Sequence, residues 1–235
     1  MTLRYASYTN TGKREINEDY LDARLINENL IAIVADGLGG HANGEVASRI
    51  AVDSILEYLS DKNFDEDELL DGVLETNQKI IKADISGHST VAVVWIRNDA
   101  ALISHVGDTR VYQFRNGEIV YQTVDHSVIQ LAVTVGDLSP LDLRHHKDRN
   151  KLYRVLGDPG TDLKPSSDEV DVRSGDRFLI CSDGFWEMVT EDKMLQTLSA
   201  SANPEAWINE MSRQIAAANA PRQDNYTAIC IFCEE

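Results

Sequence analysis

The chain has 235 residues, 43% of them hydrophobic, and a formal net charge of −17. That length suits one large domain or two small ones and is enough to bury a substantial core. The acidic balance excludes a nucleic-acid backbone as the main partner, which would require lysine and arginine in excess, and it suits a chain that commits carboxylates to hard cations.

Residues 3 to 8 and 20 to 26 read as short strands, and LIAIVAD at 30–36 is an apolar run that fits a strand buried on both faces. GEVASRIAVDSILEYL places Val46, Ala47, Ile50, Ala51, Ser54, Ile55 and Tyr58 at helical spacing. The acid-rich DKNFDEDELLD leads into a second helical pattern that runs to about residue 84. TVAVVWI and AALISHV are strands joined through Asn98 and Asp99. RVYQF and EIVYQTV flank Asn116-Gly117, a hairpin signal because both turn positions need positive φ.

Residues 126 to about 157 read as helical or irregular and carry the local basic charge in Arg144, Lys147, Arg149, Lys151 and Arg154. RFLICSDG is another buried strand, helical patterns cover 191–199 and 204–219, and NYTAICIFC closes the sequence as a strand. No internal repeat, low-complexity tract or linker interrupts this order. Helices come in pairs between groups of strands joined by hairpins, so the sheets are expected to be mostly antiparallel. The pattern predicts an α+β fold with two layers of sheet covered by helices.

Three cysteines, Cys181, Cys230 and Cys233, cannot all pair within the chain. Cys230 and Cys233 lie three apart in a predicted strand, where they point to opposite faces and make a poor zinc clamp. Reduced thiols and a cytoplasmic setting are expected. MTLRYASYTNTGKRE has no apolar leader core, and no run is long enough to span a bilayer, so no membrane partner is expected.

The turn after the first buried strand raises a choice. Gly37, Gly39 and Ala42 satisfy G-x-G-x-x-A between a strand and a helix, as in a dinucleotide site. Such a unit needs a second parallel strand soon after, ending in an acid about 20 residues past the glycines. Here Asp53 and Glu57 lie inside the helical pattern, and the next convincing strand begins near residue 90. Asp36 would repel a pyrophosphate, and no Walker lysine is present. The turn does not read as a nucleotide cradle.

Asp36 has company. Acids recur at strand ends in VADG, HVGDTR and CSDG, DNYT puts Asp224 just before a strand, and REINED supplies Glu18 and Asp19. A single aspartate there usually satisfies its own turn. A set of them on neighbouring strands would repel unless protonated or neutralised by a cation. Mg²⁺ and Mn²⁺ take oxygen ligands and keep several waters, so few carboxylates are needed per ion.

Six motifs in order, R-x-x-N-E-D at 14–19, ADGLGGH at 35–41, HVGDTR at 105–110, DHS at 125–127, LICSDG at 179–184 and DNYT at 224–227, resemble the metal-dependent protein serine/threonine phosphatases of the 2C type in their compact bacterial form. The resemblance covers essentially the whole chain. It implies a four-layer α-β-β-α sandwich forming a single catalytic domain over 1–235, with a flap at about 127–156. It also implies two to three Mn²⁺ or Mg²⁺ ions and hydrolysis of phosphoserine and phosphothreonine by attack of a metal-bridging water. The expected partners are phosphorylated proteins, substrates of a cognate kinase.

By the same resemblance, Asp36 bridges two ions, the Gly37 carbonyl binds the second, and Asp183 and Asp224 complete the first. Glu18 binds directly or through water, Asp19 stands behind the ligands, and Asp108 with Asp183 holds a third ion. Arg14 resembles the family's phosphate-binding arginine; read alone, it would be a surface ion pair with Glu15 or Glu18.

Three departures stand out. Leu38 occupies the position where eukaryotic relatives carry a histidine proposed as general acid, while His41 reads as structural. His88-Ser89-Thr90 replaces Gly-Thr-Thr before the central strand. Thr109 stands where serine is commoner. The basic flap, with its His145-His146 pair, reads equally as a phosphopeptide contact or as a solvated surface. A catalytically silent sensing module and a small-molecule phosphohydrolase remain as alternative functions.

Overall fold

The computed structural model describes residues 1–26, 28–39 and 43–235. The chain opens with β1 (Thr2–Asn10), β2 (Tyr20–Ile26), β3 (Asn29–Ala35) and the short β4 (Gly37–Leu38), followed by helices α1 (Gly44–Ser60) and α2 (Glu66–Lys82). Next come β5 (His88–Ser89), β6 (Val91–Arg97), β7 (Ala100–Val106), β8 (Arg110–Arg115) and β9 (Glu118–Gln122). Helix α3 (Val128–Thr134) and a 3₁₀ turn (Pro140–His145) interrupt the strands before β10 (Ser166–Asp171) and β11 (Arg177–Cys181). Helices α4 (Asp183–Trp186), α5 (Glu191–Ser199) and α6 (Pro204–Ala218) precede β12 (Tyr226–Glu234).

Among the described residues, two five-stranded sheets stack, one ordered β1-β12-β11-β8-β9 and the other β10-β7-β6-β3-β2. Their strand pairings are antiparallel. The alternation along β3 shows why its sequence is apolar throughout. Ile31, Ile33 and Ala35 pack under α1 and α2, while Leu30, Ala32 and Val34 face the other sheet. On β12, Ala228, Cys230 and Phe232 face α5 and α6, while Ile229, Ile231 and Cys233 face the sheet interface. The two cysteines of C-x-x-C therefore sit on opposite faces, as strand geometry requires. Each large aliphatic side chain so buried contributes about 1.5–3 kcal/mol. The result is a helix–sheet–sheet–helix sandwich.

Local signals agree with the packing. Asp65 caps α2 by accepting from the Asp67 and Glu68 amides, with acids in the first turn and Lys79 and Lys82 in the last. Asn116 and Gly117 carry φ of 53° and 80° and close the β8–β9 hairpin, although β9 stops at Gln122, short of the predicted run. Residues 126–157 resolve into α3, the 3₁₀ turn and irregular chain. Sequence patterning missed β10, whose SSDEVD has one apolar residue in six because it is an edge strand wetted on its free side. It also missed α4, at four residues too short to show a helical period.

Candidate metal centre

The strand registers bring the predicted acids to one end of the sandwich. Tyr20 pairs with Ala35, so Asp19 and Asp36 lie side by side where β2 begins and β3 ends. Cys181 pairs with both Arg110 and Ala228, which sets Asp108 before β8, Asp183 after β11 and Asp224 before β12 at that same edge. Asn10 pairs with Tyr226 and brings in the 11–18 segment that carries Arg14 and Glu18.

Hydrogen bonds then fix each acid. The Asp36 amide donates to Thr90 Oγ1 at 3.0 Å, and the Thr90 amide donates to the Asp36 carbonyl at 2.8 Å. His88-Ser89 pairs with Gly37-Leu38 as a short ladder, so the departure from Gly-Thr-Thr keeps an ordered path there. Ser182 Oγ donates to Asp19 Oδ2 at 2.7 Å, and Trp186 Nε1 donates to the Asp108 carbonyl at 2.9 Å. Asn225 clasps the acidic loop: its side chain accepts from the Glu18 amide and donates to the Thr11 and Ile16 carbonyls. Arg14 Nη2 donates to Asp224 Oδ2 at 2.6 Å, so its partner is neither Glu15 nor Glu18.

Two glycines permit this closeness. A Cβ on Gly37 would stand 2.1 Å from the Gly44 carbonyl oxygen, and one on Gly184 would stand 2.0 Å from that of Asn225. Both obstacles are backbone and cannot swing aside. Gly184→Ala is expected to destabilise the fold by about 1–3 kcal/mol or more, since overpacking forces the backbone to move. Denaturant unfolding measures this, and an unchanged midpoint would contradict the placement.

Asp19, Asp108 and Asp183 are buried, and Asp36 is half-buried. Burial pushes Asp19 up to about 7, helped by repulsion from Asp224 and Glu18 and opposed by the Ser182 hydrogen bond. Burial and then Asp125 push Asp108 up to about 7, against the pull of Arg110. Asp36 and Asp183 are held well above the ordinary carboxylate range, by burial first and then by the acids around them. Burial and Glu45 raise Glu18. Such a cluster is unfavourable without protons or cations.

The donor set fits divalent ions. Its oxygens are hard, and Asp19 Oδ1 is buried with no hydrogen-bond partner among the described residues. Among those residues no three acid, histidine or cysteine side chains close into a finished cage. Gly40, His41 and Ala42 lie outside the described residues.

The sequence did not reveal how residues 127–156 are held. Arg144 donates through Nη2 to both Glu191 carboxylate oxygens at 2.6 Å, and Arg149 pairs with Glu187 through Nε and Nη2. Neither arginine is a freely solvated surface charge. Arg110 and Arg144 lie over the Trp186 ring, the former at 3.5 Å, and Arg110 pairs with Asp125 of the DHS motif. DHS is thus structural: Asp125 holds Arg110, His126 Nδ1 accepts from the Gly107 amide, and Ser127 caps α3. Pairing across sequence separations this large leaves no local pattern to read.

Known proteins share this fold. The sequence profile of protein phosphatase 2C matches residues 8–223. The serine/threonine protein phosphatase PstP of Mycobacterium tuberculosis is 33% identical over 211 residues, which cover 84% of this chain and 39% of PstP. The chain therefore spans about two fifths of that relative's length. The serine/threonine phosphatase stp of Listeria monocytogenes is 34% identical over 182 residues, 72% of each chain. A crystal structure of the catalytic domain of PstP in complex with two manganese ions superposes with a TM-score of 0.86 at 26% identity, covering 99% of both chains. Profile and relatives together show that this chain belongs to the protein phosphatase 2C family.

Proposed function

We propose that the chain is a metal-dependent protein phosphatase that hydrolyses phosphoserine and phosphothreonine on proteins. The observation that carries this reading is the convergence of Asp36, Asp183, Asp224, Asp108, Asp19 and Glu18 at one sandwich edge beside Arg14. A relative's structure with two manganese ions supports the choice of metal, with Mg²⁺ the alternative.

In this reading Asp36 and the Gly37 carbonyl hold one ion with Glu18, while Asp36, Asp183 and Asp224 hold the other. Asp108 and Asp183 serve a third. Bound divalent ions supply Lewis acidity, which brings the pKa of a water toward neutrality and offsets charge on the phosphoryl oxygens. Asp19 orders water from behind, with one oxygen fixed by Ser182 and the other free. An Asp224 carboxylate committed to a cation would leave the Arg14 guanidinium without its present ion pair. Its planar fork could then hold two equatorial phosphoryl oxygens, which leaves the axis through the attacking and leaving oxygens clear. Leu38 has no ionisable proton, so the leaving oxygen takes its proton from water or from another group.

We place residues 127–156 as a flap on a single catalytic domain, pinned by the Arg144–Glu191 and Arg149–Glu187 pairs. Phosphoproteins modified by a cognate kinase are the substrates, which makes this a signalling enzyme. Three free, buried cysteines support a reducing, cytoplasmic setting, and no described helix is long and apolar enough to cross a membrane. A silent sensing module is not favoured, because Asp36, Asp183 and Asp224 are all present at one edge. The test is hydrolysis of p-nitrophenyl phosphate and of a phosphothreonine peptide by purified protein with millimolar Mn²⁺. Turnover that a chelator abolishes is expected; no turnover on either substrate would overturn the reading.

A further inference from the structure

Beside the metal centre lies a cleft of about 550 Å³ whose walls include Arg14, Arg149, Arg222, Glu187 and Asp224. Asp224 and Arg14 both line it, so the cleft adjoins the proposed phosphoryl position. In a chain of net charge −17, three arginines here face two carboxylates. Two of the arginines are already matched, Arg14 by Asp224 at 2.6 Å and Arg149 by Glu187 at 2.9 Å through Nη2 and Oε2. Arg222 is exposed, and among the described residues it has no carboxylate within ion-pair distance. The cleft therefore keeps an unspent positive charge.

Arg222 stands on a fixed platform. Its neighbour Gln223 is buried, donates through Nε2 to the Gly184 carbonyl at 3.0 Å and accepts from the Lys13 amide at 2.9 Å. Pro221 precedes it, restricting the turn that leaves α6 through the left-handed Asn219. The turn is tied to the two segments that carry Asp183 and Arg14. Arg222 is thus held at a set distance from the metal centre.

We propose that this cleft is an anionic subsite, in which Arg222 takes a negatively charged side chain of the peptide flanking the phosphoresidue. The inference rests on the phosphatase reading and names a preferred substrate class for it. An extended peptide advances about 3.3 Å per residue, so a side chain roughly two or three positions away reaches across a cleft of this size. The anion is a carboxylate or a second phosphoryl group.

The test compares kcat/KM on phosphothreonine peptides that differ only at those flanking positions, bearing alanine, glutamate or a non-hydrolysable phosphonate on either side. The wild-type protein is expected to prefer an anionic peptide by about three- to fivefold, the scale of one exposed ion pair, and the preference should shrink as salt rises. Arg222→Ala should abolish the preference while leaving p-nitrophenyl phosphate turnover unchanged. A preference confined to glutamate assigns the subsite to carboxylates, and one confined to the phosphonate assigns it to phosphoryl groups. Equal rates on all peptides, with p-nitrophenyl phosphate still hydrolysed, would overturn the subsite and leave the phosphatase reading intact. So would a preference that survives Arg222→Ala. Loss of turnover on every substrate would instead overturn the phosphatase reading, and the subsite with it.

Discussion

Asp183→Asn is expected to lower Mn²⁺-dependent hydrolysis of a phosphothreonine peptide by about a thousandfold, the upper range for losing one group that stabilises a transition state. The same substitution should raise the thermal stability of the metal-free protein. Both effects have one cause. Burial and the carboxylates of Asp108, Glu187, Asp224 and Asp19 oppose ionisation of Asp183 in the folded state. Asparagine keeps the volume and removes the charge, so the crowding is relieved and the proposed cation site is lost together. Peptide turnover and a melting curve recorded in chelator check the two halves. A variant that is inactive because it is less stable than wild type would contradict the account.

Acid should stabilise the metal-free protein, the reverse of the ordinary behaviour of aspartates. Asp19 and Asp108 have folded-state pKa values pushed up to about 7 from an ordinary 3.8. The folded state therefore binds more protons than the unfolded state between those values, and stability falls as pH rises. The stabilisation is complete below the ordinary value and is lost as pH climbs through about 7. In chelator, the melting temperature should thus rise as pH drops from about 7.5 to about 5. The overall charge of −17 acts in the same direction, so Asp19→Asn is the control: it should flatten the slope by removing the local contribution. Saturating Mn²⁺ should flatten it too, because cations favour the ionised acids. A melting temperature that falls over that range in chelator would contradict the cluster's electrostatics.

How much was legible follows from where each residue's constraint lies. The central strands β3, β6, β7, β11 and β12 are buried on both faces, and their apolar runs announce it. The edge strand β10 has a wet side and a polar sequence, so no pattern marks it. The acids were visible as a recurrence at strand ends, and six spaced motifs tied them to one family. Their convergence depends on registers such as Cys181 with Arg110 and Ala228, which no local signal carries. The same holds for Ser182 behind Asp19, Trp186 under Asp108 and Asn225 clasping Glu18. The partner of Arg14 lies 210 residues away, which is why sequence neighbours such as Glu15 misled.

Calorimetric titration of Mn²⁺ into the wild-type protein and the Asp36→Asn variant tests the central claim most directly. Asp36 is the carboxylate proposed to serve both principal ions, and burial raises Asp19, Asp108 and Asp183 beside it above the ordinary carboxylate range. The account predicts saturable binding of two tightly held ions to the wild type, with release of protons into the buffer, and loss of that binding in Asp36→Asn. No saturable binding to the wild type, or binding unchanged by the substitution, would contradict it.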